Sequence, residues 1–295
     1  MTDRPREQAL GTLYTLLAAA GFGAVSSLTA VAMRDGVSLS TVLTWRYVLA
    51  SVVLTVWVGA QSYRRMPPRE MIRWLAIGGG GQALLVYCAL SSLAYIPAAT
   101  LAFLFYTYPA WVTLVQAVRG AERFDARRGV ALALSLSGTA FLVGNPASGT
   151  IAWKGVALAL GAAAMYGAYI PAMQAMQRDW PVPLTSAYSK IGAALCFLAL
   201  AVGDGSFAYT FPAATWTAIV TLTLVATVLP SLFFLMGLLR LGPVRTAIIS
   251  TVEPVFTAAI AWAVLAQKPT PAILAGGALI VGAVVLLQWR RERVM

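Results

Sequence analysis

The sequence has no histidine, only two cysteines and few charges: 11% of its 295 residues are Asp, Glu, Lys or Arg, against about 25% in a soluble domain. Each shortage excludes something. Without histidine, and with Cys88 and Cys196 apart inside apolar runs, there is no metal-ligand set, no nucleophile beside a base and no disulfide framework. No pair of acidic residues falls inside the apolar stretches, so the two carboxylates of an acid–base enzyme are missing as well. A channel is argued against by the lack of a ring of like charges or a filter-like sequence. The net charge of +11 could suggest nucleic acid, but the cations are mostly arginines in short loops, with no basic domain to carry them.

What is there is apolar: 60% of the residues are hydrophobic, the composition of an integral membrane protein. A window of about 20 residues predicts ten spans, near 11–32, 40–60, 74–93, 98–118, 129–144, 155–176, 184–202, 213–238, 244–265 and 271–289. The expected fold is an all-α integral membrane protein of ten transmembrane helices. The longest polar connection, QSYRRMPPREMIR at 61–73, is too short for a soluble domain. The first apolar run continues past any signal-peptide cleavage site and reads as a helix. With the N-terminus cytoplasmic, sixteen cations fall in inner segments and three outside, namely Arg34, Lys154 and Lys268, while Arg46 and Lys190 lie within spans. That positive-inside bias predicts both termini on the cytoplasmic side of a bacterial-type inner membrane.

The chain also repeats itself. GTLYTLLAAAGFGAVSSLTAVAMRDGVSLST at 11–41 aligns without a gap on GVALALGAAAMYGAYIPAMQAMQRDWPVPLT at 155–185, and the same shift of 144 places Arg46 over Lys190. At a shift of 145, LAYIPAATLAFLFYTYPAW falls over LLRLGPVRTAIISTVEPVF and pairs Pro109 with Pro254. Five spans per half is an odd number, so the second half must enter the membrane from the opposite side. The expected organisation is two inverted five-helix repeats, 1–146 and 147–295, a plan of secondary transporters whose sites lie between the repeats near the midplane.

Around Glu253, steps of four, three and four residues place Thr246, Ser250 and Thr257 on one side of the helix, a polar stripe that should face protein or water and not lipid. Two readings stay open. Glu253 is a packing residue of a kinked helix, in which Pro254 frees the Ser250 carbonyl, or it is a site for a substrate amine or a proton. The mates of the stripe in the first half are Leu101, Phe105, Tyr108 and Val112, so an acidic, polar wall would face an aromatic one. Tyr106 and Trp111 flank that wall, and Tyr166, Tyr169 and Phe22 are candidates for closing it, although each also suits gap filling or anchoring at the lipid interface. Gln82 joins them because its amide needs a partner. The candidate substrate-binding set is therefore Phe22, Gln82, Phe105, Tyr106, Tyr108, Trp111, Tyr166, Tyr169, Ser250, Glu253 and Thr257.

Arg46 and Lys190 sit about two turns inside their spans, a depth from which long side chains snorkel to the headgroups. They are expected to position helices at opposite faces more than to bind substrate. The run GGGGQ at 78–82 is expected to let helices pack closely, with local unwinding as the alternative. Pro171 and Pro230 read as flex points or kinks.

Ten short spans in two halves, the arginine of TWRYVLA, the pair ALSSLAYIPAATLAFLFYTYP and GLLRLGPVRTAIISTVEP, and the span-ending PVFTAAIAWAVLAQKPTP together resemble the drug/metabolite transporter superfamily, specifically its EamA-type members, over essentially the whole chain. Gln267 stands where members often have Glu, which the first half keeps as Glu122. The aromatic-rich helices are similar to the YddG-type amino-acid exporters. The resemblance implies a carrier working by alternating access, with no cofactor and no enzyme activity, that exports small amphipathic metabolites, aromatic and other neutral amino acids first. A lipophilic-cation, drug or nucleoside exporter is the alternative. Short loops leave little surface for a soluble partner, so the expected partners are a small-molecule substrate and the bilayer, and the expected unit is a monomer.

Overall fold

A chain this apolar has to satisfy its backbone polar groups internally, and the helix does so within each segment. The computed structural model describes residues 4–60, 66–92, 94–96, 98–121, 125–143, 152–177, 180–265 and 270–288. Glu122, Gln267 and the loop cations Arg64, Arg65, Arg123, Arg178, Lys268, Arg290, Arg291 and Arg293 lie outside the described residues. Among those described there are helices and no strand: α1 Arg4–Gly23, α2 Val25–Ala32, α3 Leu39–Ala60, α4 Pro68–Ala76, α5 Leu84–Ser92, α6 Ala98–Phe105, α7 Tyr108–Val118, α8 Ala126–Val143, α9 Trp153–Gln177, α10 Val182–Gly203, α11 Ala213–Thr223, α12 Leu229–Leu241, α13 Pro243–Ser250, α14 Glu253–Leu265 and α15 Pro271–Gln288. Two wider, π-wound segments, Ile77–Ala83 and Leu224–Val228, join α4 to α5 and α11 to α12.

Helices fall on each of the ten stretches singled out in the sequence, but not as ten uninterrupted rods. Among the described residues, five runs are long and apolar enough to cross a membrane, Arg6–Ala32, Leu39–Gly59, Trp153–Gln177, Val182–Gly203 and Ala213–Leu241, and Leu274–Leu286 is a shorter apolar one. The fourth and ninth stretches are each broken in two. The kinked continuous helix expected through Pro254 is absent: α13 stops at Ser250, and short turns from Thr251 to the Ile248 carbonyl (3.2 Å) and from Val252 to the Ile249 carbonyl (3.1 Å) close it. Pro109 and Pro254 are the second residues of α7 and α14, where a helix does not use the missing N–H. Pro68, Pro243 and Pro271 open their helices for the same reason. Gly242, between α12 and α13, has a φ of +79°, which glycine adopts without strain.

The repeat is visible in the element boundaries. α6, α7 and α8 begin at 98, 108 and 126, and α13, α14 and α15 at 243, 253 and 271. Contacts repeat with the halves exchanged. A Cβ on Gly11 would lie 2.8 Å from the Cβ of Arg240, and one on Gly155 would lie 2.7 Å from the Cβ of Tyr95, the repeat mate of Arg240. Further along, Gly23 meets Phe256 and Thr257, and Gly167 meets their mates, Trp111 and Val112. The first long helix of each half thus crosses the other half at glycines that bring two backbones together. α3 packs on α10 and α8 on α15, so each pairs with its own mate.

Candidate functional site

α10 carries Ser186, Ser189 and Lys190 past the π-wound segment Ile77–Ala83 at backbone contact. A Cβ on Gly78 would stand 1.9 Å from the Ser189 carbonyl oxygen, and one on Gly192 would stand 2.0 Å from that of Leu75. The glycine run therefore does both things the sequence allowed: it changes the winding and permits the close crossing. The crossing brings the Lys190 ammonium to Gln82, where Nζ donates to Oε1 (3.2 Å) while Gln82 Nε2 donates to the Tyr47 hydroxyl (3.1 Å).

The other half makes the corresponding contact with different groups. Arg46 Nε donates to Thr227 Oγ1 (2.6 Å) and Nη2 donates to the Ala226 carbonyl (3.2 Å), both in the segment Leu224–Val228. Thr227 is the mate of Gln82 at the shift of 145, as Lys190 is of Arg46 at 144. Each half's buried cation is thus tied to the π-wound segment of the other half. Arg46 and Lys190 are 7% and 6% exposed and lie over the same ring, that of Tyr47, at 5.4 and 5.5 Å from its centroid. They do not snorkel to opposite faces. The π-wound turns offer both side chains polar partners inside the protein, and these replace the headgroups.

Glu253 opens α14, where the free N–H groups and dipole of a helix start suit a carboxylate. Its side chain faces the Tyr106 hydroxyl, with Tyr108 and Tyr166 close by. The rings form a continuous cluster: Phe105 stacks on Tyr166 (5.6 Å), and Tyr166 reaches Tyr108 (4.7 Å) and Tyr169 (6.1 Å).

Several of these groups line a cavity of ≈ 570 Å³ between the halves. Of the residues singled out in the sequence, Phe22, Gln82, Phe105, Tyr166, Tyr169 and Glu253 line it. The other five stand outside its wall. Tyr108 is 2% exposed and donates to the Ala247 carbonyl (3.3 Å), Trp111 packs on Gly167, and Thr257 donates to the Glu253 carbonyl (3.0 Å). Ser250 is buried, and Tyr106 reaches the site through Glu253. Sequence reasoning left Arg46, Tyr47, Lys190, Ser186 and Ser189 out of the set, yet all five line the cavity. The signal that could have found them is the repeat itself, which puts one cation at the same depth in each half.

The family model described as the EamA-like transporter family matches the chain twice, over residues 9–144 and 153–289. No curated protein matches it. Among solved structures, one described as "Crystal structure of protein" superposes with a TM-score of 0.82 over 96% of this chain and 99% of that chain, at 20% identity. At that identity the likeness shows the fold, and the shared fold extends over both halves. A family match across most of the chain, in two copies set on the two halves of the repeat, shows that the protein is a multi-pass membrane transporter of small molecules and belongs to the EamA-like transporter family of the drug/metabolite transporter superfamily.

Proposed function

We propose that the protein is an inner-membrane secondary carrier that moves small amphipathic metabolites, aromatic and other neutral amino acids first among them, by alternating access. In this reading the chain crosses the membrane ten times. Residues 1–146 and 147–295 form two inverted repeats with both termini cytoplasmic, and one copy of the chain suffices. Export is the direction expected from the resemblance to YddG-type exporters.

The observation that carries this reading is the cavity between the halves, lined by a carboxylate and by a cluster of aromatic rings. Aromatic faces take up the apolar part of a substrate and Glu253 meets its polar end. The volume lies within the range of small-molecule sites. The exchanged glycine contacts support the mechanism, because each half's first long helix rests on the other half at backbone distance and can rock there as a body. A purely cationic drug would meet Arg46 and Lys190 in the same cavity, which favours neutral amino acids over lipophilic cations.

Counterflow in liposomes containing the full-length protein tests this. Phenylalanine, tryptophan, methionine or threonine should enter above the protein-free background. Movement of a lipophilic cation or a nucleoside with none of the four amino acids refutes the substrate class.

A further inference from the structure

Arg46 and Lys190 are like charges, each more than nine-tenths buried, that share the Tyr47 ring. Among the described residues, neither is in a salt bridge with a carboxylate. Their hydrogen bonds also leave donors unused. Lys190 gives one bond, to Gln82, and Arg46 gives two, to Thr227 and Ala226, out of three and five available donors. A buried cation without a counter-charge is costly, and a second beside it adds repulsion. The cavity wall next to Lys190 presents the Ser186 hydroxyl, 2% exposed and without a hydrogen-bond partner among the described residues.

Glu253 does not neutralise this cluster. Among the described residues it is in no salt bridge with Arg46 or Lys190, and its neighbours are Tyr106, Tyr108 and Tyr166. Tyr166 lies near both Glu253 and Tyr47. The cavity is therefore bipolar, with a carboxylate at one place, two cations at another and tyrosine rings between.

We propose that Arg46, Tyr47 and Lys190 form an anion subsite for the carboxylate of the cargo, with Glu253 taking its ammonium, so that the cavity selects zwitterionic α-amino acids over amines and over simple carboxylates. This rests on the cavity being the substrate site. Arg46, with its fork held on Thr227 and Ala226, supplies a fixed charge. Lys190, a point charge on a flexible stem, can turn from Gln82 towards the incoming carboxylate, and Ser186 adds a hydroxyl donor. A zwitterion compensates both poles at once. An amine leaves the cations unpaired, and a simple carboxylate leaves Glu253 unpaired.

Three ligands sharing one ring separate the poles: phenylalanine, phenylethylamine and 3-phenylpropionate, titrated against the full-length protein in detergent. The expectation is that phenylalanine binds and that each truncated ligand binds about tenfold or more weakly, the effect of one lost charge-assisted contact. Lys190→Gln should weaken phenylalanine and 3-phenylpropionate while leaving phenylethylamine unchanged, and Glu253→Gln should weaken phenylalanine and phenylethylamine while leaving 3-phenylpropionate unchanged. Phenylethylamine binding as tightly as phenylalanine overturns the anion subsite, as does a Lys190→Gln protein that loses all three ligands equally while keeping its elution profile and thermal midpoint. The wild-type series decides the matter even if a variant fails to fold. Binding of none of the three overturns the amino-acid reading as well, whereas equal binding of all three overturns only the subsite.

Discussion

Arg46 and Lys190 hold the same place in the two halves, and each reaches a π-wound segment of the other half, yet the two contacts differ in kind. Arg46 is fixed by two bonds, one of them short, to a hydroxyl that itself donates to the Leu222 carbonyl (3.0 Å). Lys190 has one longer bond to an amide, which is itself held by Tyr47. The crossings beneath them differ as well. Lys190 rides between two such approaches, Ser189 against Gly78 and Gly192 against Leu75 and Gly79, whereas the mates of Gly192 and Gly78 beside Arg46 are Val48 and Thr223. One backbone plan thus supports a bolted cation in one half and an adaptable one in the other. That asymmetry lets a repeat-built cavity present different chemistry on its two sides.

The glycine crossing should break first. Gly78→Val places side-chain carbon into the Ser189 carbonyl, backbone against backbone, with no flexible end to move aside, and should abolish monodisperse protein on size exclusion. Thr223→Val, at the mate of Gly78, exchanges a hydroxyl that bonds the Ile219 carbonyl (2.8 Å) and, at longer range across the crossing, the Arg46 carbonyl (3.5 Å), and should cost about 1 kcal/mol. Equal tolerance of the two changes would remove the distinction between the crossings.

The cations come next. Arg46→Gln removes charge-assisted bonds to Thr227 and Ala226 and should cost about 3 kcal/mol, read as a clear fall in thermal midpoint. Lys190→Gln removes a buried charge held by a single amide and should leave the midpoint unchanged or raise it. Similar falls for both would mean that Lys190 is as much a bolt as Arg46. The smallest effect is expected from single cysteines in the connections at 61–67 or 119–125, which should not disturb folding and should label only from the cytoplasmic side. Labelling from outside refutes the proposed orientation and the inversion of the second half.

Much of the fold was legible in the letters because lipid leaves the backbone few options. Apolar runs bounded by prolines and arginines become helices, and the repeat register read from alanine-rich stretches reappears in where α6, α7 and α8 and α13, α14 and α15 begin. The breaks at 106–107 and 251–252 were not legible, since a proline at the second residue of a new helix reads like one inside a kink. The aromatic side of the cavity was within reach, because Phe105 follows from the repeat mates, and Tyr166 and Tyr169 stand out as aromatics able to close that wall. Trp111 and Thr257 show the limit of that reasoning, for one was singled out as flanking the aromatic wall and the other by spacing, and both are taken up in packing or backbone bonds.

The sequence by itself determined that this is a helical membrane protein, that it is built twice over, and that a carboxylate sits where its second half turns polar. Only the tertiary structure decided where the two cations go. A long basic side chain two turns inside a span has two low-energy exits, outwards to the headgroups or inwards to a polar partner, and its own helix does not choose between them. The choice belongs to Thr227 and Gln82, each contributed by the other half and brought within hydrogen-bond reach by helix crossings that no local pattern encodes.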